Sequence, residues 1–161
     1  MKYLESINTF LNRLLLFLGG IAIILLMSLA TINVVLRMFH VPYSGTYEIV
    51  SFLGAIVIAF ALGYSQKRKD HIVVDILTEK FSEQTNRILS IISSGITMVF
   101  FAVISWQVFI FGVKIWKSGE VSETLKIVYY PFIFSVAVGF AVLSLTIIVD
   151  FLKATLVKEE K

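Results

Sequence analysis

The sequence predicts an all-α membrane protein: four transmembrane helices, with short amphipathic interfacial helices at the N-terminus and in the middle cytoplasmic loop. Three observations carry this. Of the 161 residues, 58% are hydrophobic and 16% are charged, and the mean hydropathy is +0.90. A soluble domain of this size has no interior large enough for so much apolar surface. Four stretches, Leu14 to Leu36, Ile49 to Gln66, Ile88 to Val113 and Ile127 to Val149, contain no Asp, Glu, Lys or Arg. At 1.5 Å rise per residue these reach roughly 27 to 39 Å, against a hydrocarbon core of about 30 Å. The chain is therefore expected to form one integral membrane domain over residues 1–161, with spans near 14–36, 47–66, 88–113 and 127–150.

Before the first span, Tyr3, Leu4, Ile7, Phe10, Leu11 and Leu14 recur at helical spacing, with Lys2, Glu5, Asn8 and Asn12 on other faces. That pattern predicts an amphipathic helix lying along the membrane surface. The first span ends in Arg37-Met38-Phe39-His40 rather than a small-x-small cleavage site, so it is expected to be retained. The second span extends outward through Ser44 to Tyr47, and carries Ser51, Ala55, Ala59 and Gly63 at intervals of four. Four small residues on one stripe let another helix approach closely, so this is a packing face, for a partner in this chain or in another protein.

In the middle loop, Ile72, Val73, Ile76, Leu77 and Phe81 alternate with Asp75, Thr78, Glu79 and Lys80 at helical spacing. A second surface helix is expected there. Ser82, followed by Glu83 and Gln84, suits the N-cap of the third long helix, which must tilt or protrude from the bilayer.

Orientation follows from the basic residues, because cytoplasmic segments retain an excess of Lys and Arg. One side carries Lys2, Arg13, Lys67, Arg68, Lys69, Lys80, Arg87, Lys153, Lys158 and Lys161; the other has Arg37, Lys114, Lys117 and Lys126. Both termini are expected in the cytoplasm. Tyr43, Tyr47, Trp116, Tyr129 and Tyr130 form an aromatic belt on the outer side.

The residue types exclude several chemistries. There is no cysteine, hence no disulfide, thiolate metal site or thiol nucleophile. The +3 net charge sits in clusters beside the spans and serves orientation, so no nucleic-acid partner is expected. The four charge-free stretches hold no Asp, Glu, Lys, Arg or His, whereas a pump or a proton-coupled exporter needs an ionisable group at bilayer depth. Asn33 and Gln107 are the largest polar side chains within them, suited to interfacial or interhelical hydrogen bonds. His40 and His71 lie near opposite faces of the membrane and cannot ligate one haem. A free-standing small exporter and the membrane anchor of a redox enzyme are the two rival functions. Arg37 and Glu48 bracket the first outer turn, and Lys67-Arg68-Lys69-Asp70-His71 opens the cytoplasmic loop. These are either helix-end anchors that snorkel into phospholipid headgroups or polar contacts with a partner. Glu120 and Glu123 read as outer-loop charges.

The order of these features resembles a known family. The turn Gly63-Tyr64-Ser65-Gln66-Lys67-Arg68-Lys69-Asp70-His71-Ile72-Val73-Val74-Asp75, with its Gly and His-Ile-x-Val-Asp core, is similar to the small membrane subunit (the DctQ-like, or Q, subunit) of tripartite ATP-independent periplasmic (TRAP) transporters. Arg37 after the first span, Glu48 before the second, and Glu123-Thr124-Leu125-Lys126-Ile127 leading into the fourth support it. One departure concerns the fourth helix. The family often has proline soon after the Leu-x-Ile lead-in, where this chain has Val128, with Pro131 three residues later.

The resemblance implies a non-catalytic subunit of a sodium-coupled importer of an organic acid, of the sialic acid or C4-dicarboxylate class, in a bacterial inner membrane. Its implied partners are the large TRAP membrane subunit, on whose scaffold it packs, the periplasmic substrate-binding protein, which it helps dock, and phospholipids. Sodium and substrate ligands then lie in the large subunit, with no catalytic residue, cofactor or metal in this chain. Arg37, Glu48, His71 and Asp75, with Ser51, Ala55, Ala59, Gly63, Lys67 and Arg68, are the interface or structural candidates.

Overall fold

The computed structural model describes residues 2–41, 43–68 and 83–156. Four long helices account for nearly all of them: α1 (Lys2–Met38), α2 (Thr46–Arg68), α3 (Glu83–Ser118) and α4 (Tyr130–Leu156). Each is long and apolar enough to cross a membrane. The loops 39–45 and 119–129 lie together at one end, here the hairpin end; the chain termini mark the other, the terminal end. The amphipathic segment expected over Ile72 to Phe81, and Ser82 as an N-cap, lie outside the described residues.

The N-terminal segment does not form a separate surface helix. Lys2 to Met38 is one helix of 37 residues, about 55 Å long. No Gly or Pro interrupts Tyr3 to Leu18, and the face turned to the protein carries the two asparagines. Asn8 and Asn12 are buried, while Tyr3, Ile7, Phe10 and Leu14 are exposed. In place of a helix lying along the membrane surface, the segment continues α1 and turns Asn8 and Asn12, together with Leu11 and Leu15, toward the protein.

The helices lie side by side in the order α1, α2, α4, α3, with α1 also touching α4. α4 is central and the most buried, and α3 packs mainly on α4 and is the least buried. Small residues set the α2–α4 distance: a Cβ on Gly139 would come within 2.8 Å of the Ala59 carbonyl carbon and oxygen. Leu15, Ala59, Phe60 and Val142 form the core where α1, α2 and α4 meet. Aromatic pairs join α3 to α4, with Phe101 stacked on Phe140 at 6.1 Å and Phe109 against Phe134 at 5.5 Å. The Ser105 hydroxyl adds an interhelical hydrogen bond to the Ala137 carbonyl at 3.1 Å.

Helix ends follow local rules. α1 stops in a left-handed C-cap: the amide of His40, with φ 61°, donates to the Arg37 carbonyl, and that of Val41 to the Leu36 carbonyl, both at 3.1 Å. These are the two bonds of a Schellman motif, whose left-handed residue is usually glycine. His40 is thus explained by backbone geometry rather than by a ligand. Replacing it with glycine is expected to raise unfolding stability in detergent by up to about 1 kcal/mol, and with isoleucine to lower it by a similar amount. An unchanged or reversed ranking in chemical unfolding would contradict this account of the cap.

α3 ends before Gly119, which takes φ +64°. α4 begins at Tyr130, later than Ile127, and Pro131 therefore sits in its first turn, where its fixed φ and missing N–H cost nothing. The displaced proline and the later helix start are one feature.

Candidate functional site

Two polar clusters, one at each end of the helices, are what the fold builds beyond apolar packing. At the hairpin end Glu48, in the first turn of α2, reaches across to the loop between α3 and α4. Its carboxylate accepts the backbone N–H of Thr124 and that of Leu125, the latter at 3.1 Å. The same loop closes on itself. The Ser122 amide donates to the Ile127 carbonyl at 2.9 Å, and the Ile127 amide donates back to the Ser122 hydroxyl at 3.3 Å. Leu125 lies over Gly45, where a Cβ would meet its side chain at 2.3 Å, so any larger residue would have to push the leucine aside. The Asn33 carbonyl oxygen accepts the Tyr43 amide at 3.0 Å and ties the first loop to α1.

An open cleft of about 380 Å³ lies beside this clamp, with Tyr47, Phe52, Glu120, Glu123 and Tyr129 in its walls. Phe52 stacks on both Tyr129 (5.8 Å) and Phe132 (4.9 Å). The Tyr129 hydroxyl donates to Glu120 at 2.7 Å, and that bond to a carboxylate raises the phenol's pKa above its ordinary value.

Exchange of Glu48 for glutamine should loosen the clamp, because an amide offers one acceptor oxygen and turns an N–H group toward the second donor. The expected result is faster tryptic cleavage after the exposed Lys126 in E48Q than in the parent chain. Equal cleavage rates would show that the loop holds its shape without Glu48.

At the terminal end, α1 and α4 share buried hydrogen bonds. The Asn12 side-chain amide donates to the Asn8 carbonyl oxygens of backbone (2.9 Å) and side chain (2.8 Å), and to the Thr146 hydroxyl on α4 (3.0 Å). Thr146 donates to the Asn8 side chain at 2.9 Å. All three residues are at most 3% exposed. The Asn12 side-chain carbonyl oxygen has no hydrogen-bond partner among the described residues and lies over Gly63, where a Cβ would stand 2.5 Å from it. Beside this cluster the Lys67 ammonium donates to the Thr9 hydroxyl at 2.7 Å, joining the end of α2 to α1.

The candidates read from the sequence divide accordingly. Ala59 and Gly63 are buried against α4 and α1, whereas Ser51 and Ala55 on the same stripe are exposed. Ser51 donates to the Tyr47 carbonyl of its own helix at 2.8 Å. Arg37 is exposed in the last turn of α1, and Glu48 turns to the α3–α4 loop. Lys67 serves α1, and the Arg68 guanidinium lies over the Tyr64 ring at 5.3 Å. His71 and Asp75 lie outside the described residues. Asn8, Asn12 and Thr146 were missed by sequence reasoning. The only signal was the i, i+4 spacing of two asparagines opposite an apolar face, which in a membrane marks the inside.

Among the described residues no three His, Asp or Glu side chains gather as a metal site would require. The two clusters bond backbone amides, amide side chains and hydroxyls to one another; what they supply is alignment of helices and loops.

A family model described as tripartite ATP-independent periplasmic transporters, DctQ component, matches residues 26–156. Searches of curated proteins and of solved structures return no match. The match spans the greater part of the chain, including both hairpin loops and the α2 turn that carried the resemblance. DctQ proteins are non-catalytic components that work with a large membrane subunit and a periplasmic binding protein, so this multi-pass inner-membrane chain is not an enzyme. It belongs to the DctQ family, the small membrane component of TRAP transporters.

Proposed function

We propose that the chain enlarges and stabilises the stationary scaffold of the large subunit of a sodium-coupled organic-acid importer. Both termini are cytoplasmic in this reading, and the hairpin end is offered to the periplasmic binding protein. The observation that carries it is the side-by-side helix order α1, α2, α4, α3, which leaves broad apolar faces exposed. On α3, Ile92, Ile96, Val99, Phe100, Val103 and Trp106 are all exposed. Such a slab is suited to extend a neighbouring membrane protein by packing. The substrate is of the sialic acid or C4-dicarboxylate class, sodium and substrate bind in the large subunit, and this chain carries no cofactor. The rigid clamp at Glu48 suits a face that meets a soluble protein without reordering, since pre-organised surfaces bind at lower entropic cost.

The test is mild-detergent affinity purification from native membranes, with mass spectrometry of what stays bound. One large polytopic subunit near equal stoichiometry is the expected result. The chain alone, active in liposome flux, would replace this reading with the free-standing exporter, and a Soret band would favour the redox anchor. Orientation is accessible separately: the chain has no native cysteine, so E123C should react with an impermeant maleimide added from the periplasmic side.

A further inference from the structure

The terminal end of α1 has the polarity of a helix facing lipid. Asn8 and Asn12 are sealed against α2 and α4, and the apolar Tyr3, Ile7, Phe10 and Leu14 face outward, beside the exposed Ser6 and Arg13. Such a surface is stable against acyl chains and costly against water. Axial register gives its depth. Lys67 pairs with Thr9 and Gly63 meets Asn12, so α2 ends beside Asn8 and Thr9. With 23 residues, α2 is about 34 Å long, slightly more than the hydrocarbon core. Thr9 and Lys67 therefore stand at the boundary between acyl chains and headgroups.

A surface depression opens at this level, lined by Glu5, Ser6, Thr9, Phe10 and Arg13 of α1. Thr9 is the hinge of its charge. Its hydroxyl donates to the Glu5 carbonyl at 2.6 Å and accepts the Lys67 ammonium at 2.7 Å. Lys67 is thereby held beside the depression, with two of its three N–H donors unspent among the described residues. Arg13 lies one helical turn from Thr9 on the same face and is exposed. The two cations thus flank one hydroxyl, with an aromatic wall at Phe10. Glu5, a turn away on the other side of Thr9, balances one of the two cations and directs an anion toward the Arg13 end.

We propose that this depression seats the phosphodiester headgroup of an anionic phospholipid. Arg13 and Lys67 meet the phosphate oxygens, the planar guanidinium offering paired donors. The Ser6 hydroxyl reaches the glycerol or headgroup oxygens, and Phe10 and Leu14 cover the first segment of an acyl chain. Charge, depth and the apolar flank point to the same occupant, and a lipid satisfies all three at once. The seat would tie the end of α1 to α2 through a bound lipid as well as through the Thr9–Lys67 bond.

The test is native mass spectrometry and lipid titration of the purified full-length chain with phosphatidylglycerol and phosphatidylcholine. Phosphatidylglycerol should bind preferentially, and R13Q and K67Q should each weaken it about fivefold, as expected for loss of one cation near an anionic lipid. K67R, which keeps the charge, should retain most of the affinity. Inorganic phosphate at matched concentration should not displace the lipid, because it gains nothing from Phe10 and Leu14. Undiminished phosphatidylglycerol binding in R13Q, or equal binding of both lipids by the parent chain, would overturn the proposal; full displacement by phosphate would reassign the seat to free anions. Arg13 lies outside the buried asparagine cluster, so R13Q tests the seat even if K67Q proves unstable, with helicity by circular dichroism as the control.

Discussion

Substitution of Gly139 by valine is expected to destabilise the helix core by driving α2 away from α4. The ideal Cβ at this position falls 2.8 Å from the Ala59 carbonyl carbon, oxygen and Cβ. Two of those three atoms are backbone, so no rotamer change can relieve the contact, and α2 must move away from α4. Overpacking of this kind costs typically about 1–3 kcal/mol. Here it falls on the contact that α4, the central helix, makes with α2, and Val142 and Phe60 lie in the adjoining core. The measurement is denaturant unfolding in mixed micelles, followed by tryptophan fluorescence from Trp106 and Trp116 on α3. Pairing G139A with A59G should recover only part of the loss, because the Ala59 carbonyl remains in the way. Parent-like stability of G139V would mean that α2 and α4 are not held by backbone contact at this point.

The second large effect is expected from Asn12. Leucine in its place has a similar size but removes the donor that ties α1 to itself and to α4. Thr146 and the Asn8 side chain would keep one bond between them, while the Asn8 backbone carbonyl would lose its side-chain donor. Interhelical hydrogen bonds in membranes contribute about 0.6 kcal/mol on average and up to about 1.7. A loss of about 1–2 kcal/mol is therefore expected for N12L. The T146V exchange, which removes the other partner at nearly constant volume, should cost less. The double variant should cost less than the two single losses combined, since both remove the same bond. Strict additivity would show that Asn12 and Thr146 do not act through each other. A more stable N12L would place the cluster among buried polar groups that specify register at the expense of stability, and would be accompanied by a mobile α1 in hydrogen exchange.

The apolar runs were legible because their length is matched to the bilayer and no soluble packing explains them. The i, i+4 stripe on α2 was legible as a packing face for the same local reason. What a stripe cannot show is where the partner helix crosses. The crossing at Gly139 and Asn12 covers Ala59 and Gly63 and leaves Ser51 and Ala55 in the open. Glu48 was visible as a charge beside an outer turn, but its partners are backbone amides 76 and 77 positions away. Backbone amides carry no sequence signature, so no motif could have named them.

The N-terminal segment is the clearest division between the two kinds of information. Its periodicity is a property of the chain, and it identifies Asn8 and Asn12 as one face and Tyr3, Ile7 and Phe10 as another without reference to any neighbour. Which face is buried depends on the solvent and on what stands beside the helix, and in a membrane apolar groups gain nothing by leaving lipid while polar groups gain by meeting one another. The sequence by itself determined the membrane class, the number of long helices and the family, because charge-free length and the order of short motifs are local quantities. Only the tertiary structure decided the order α1, α2, α4, α3, the inward turn of the asparagines and the Glu48 clamp, because each depends on distances between segments that the chain order leaves free.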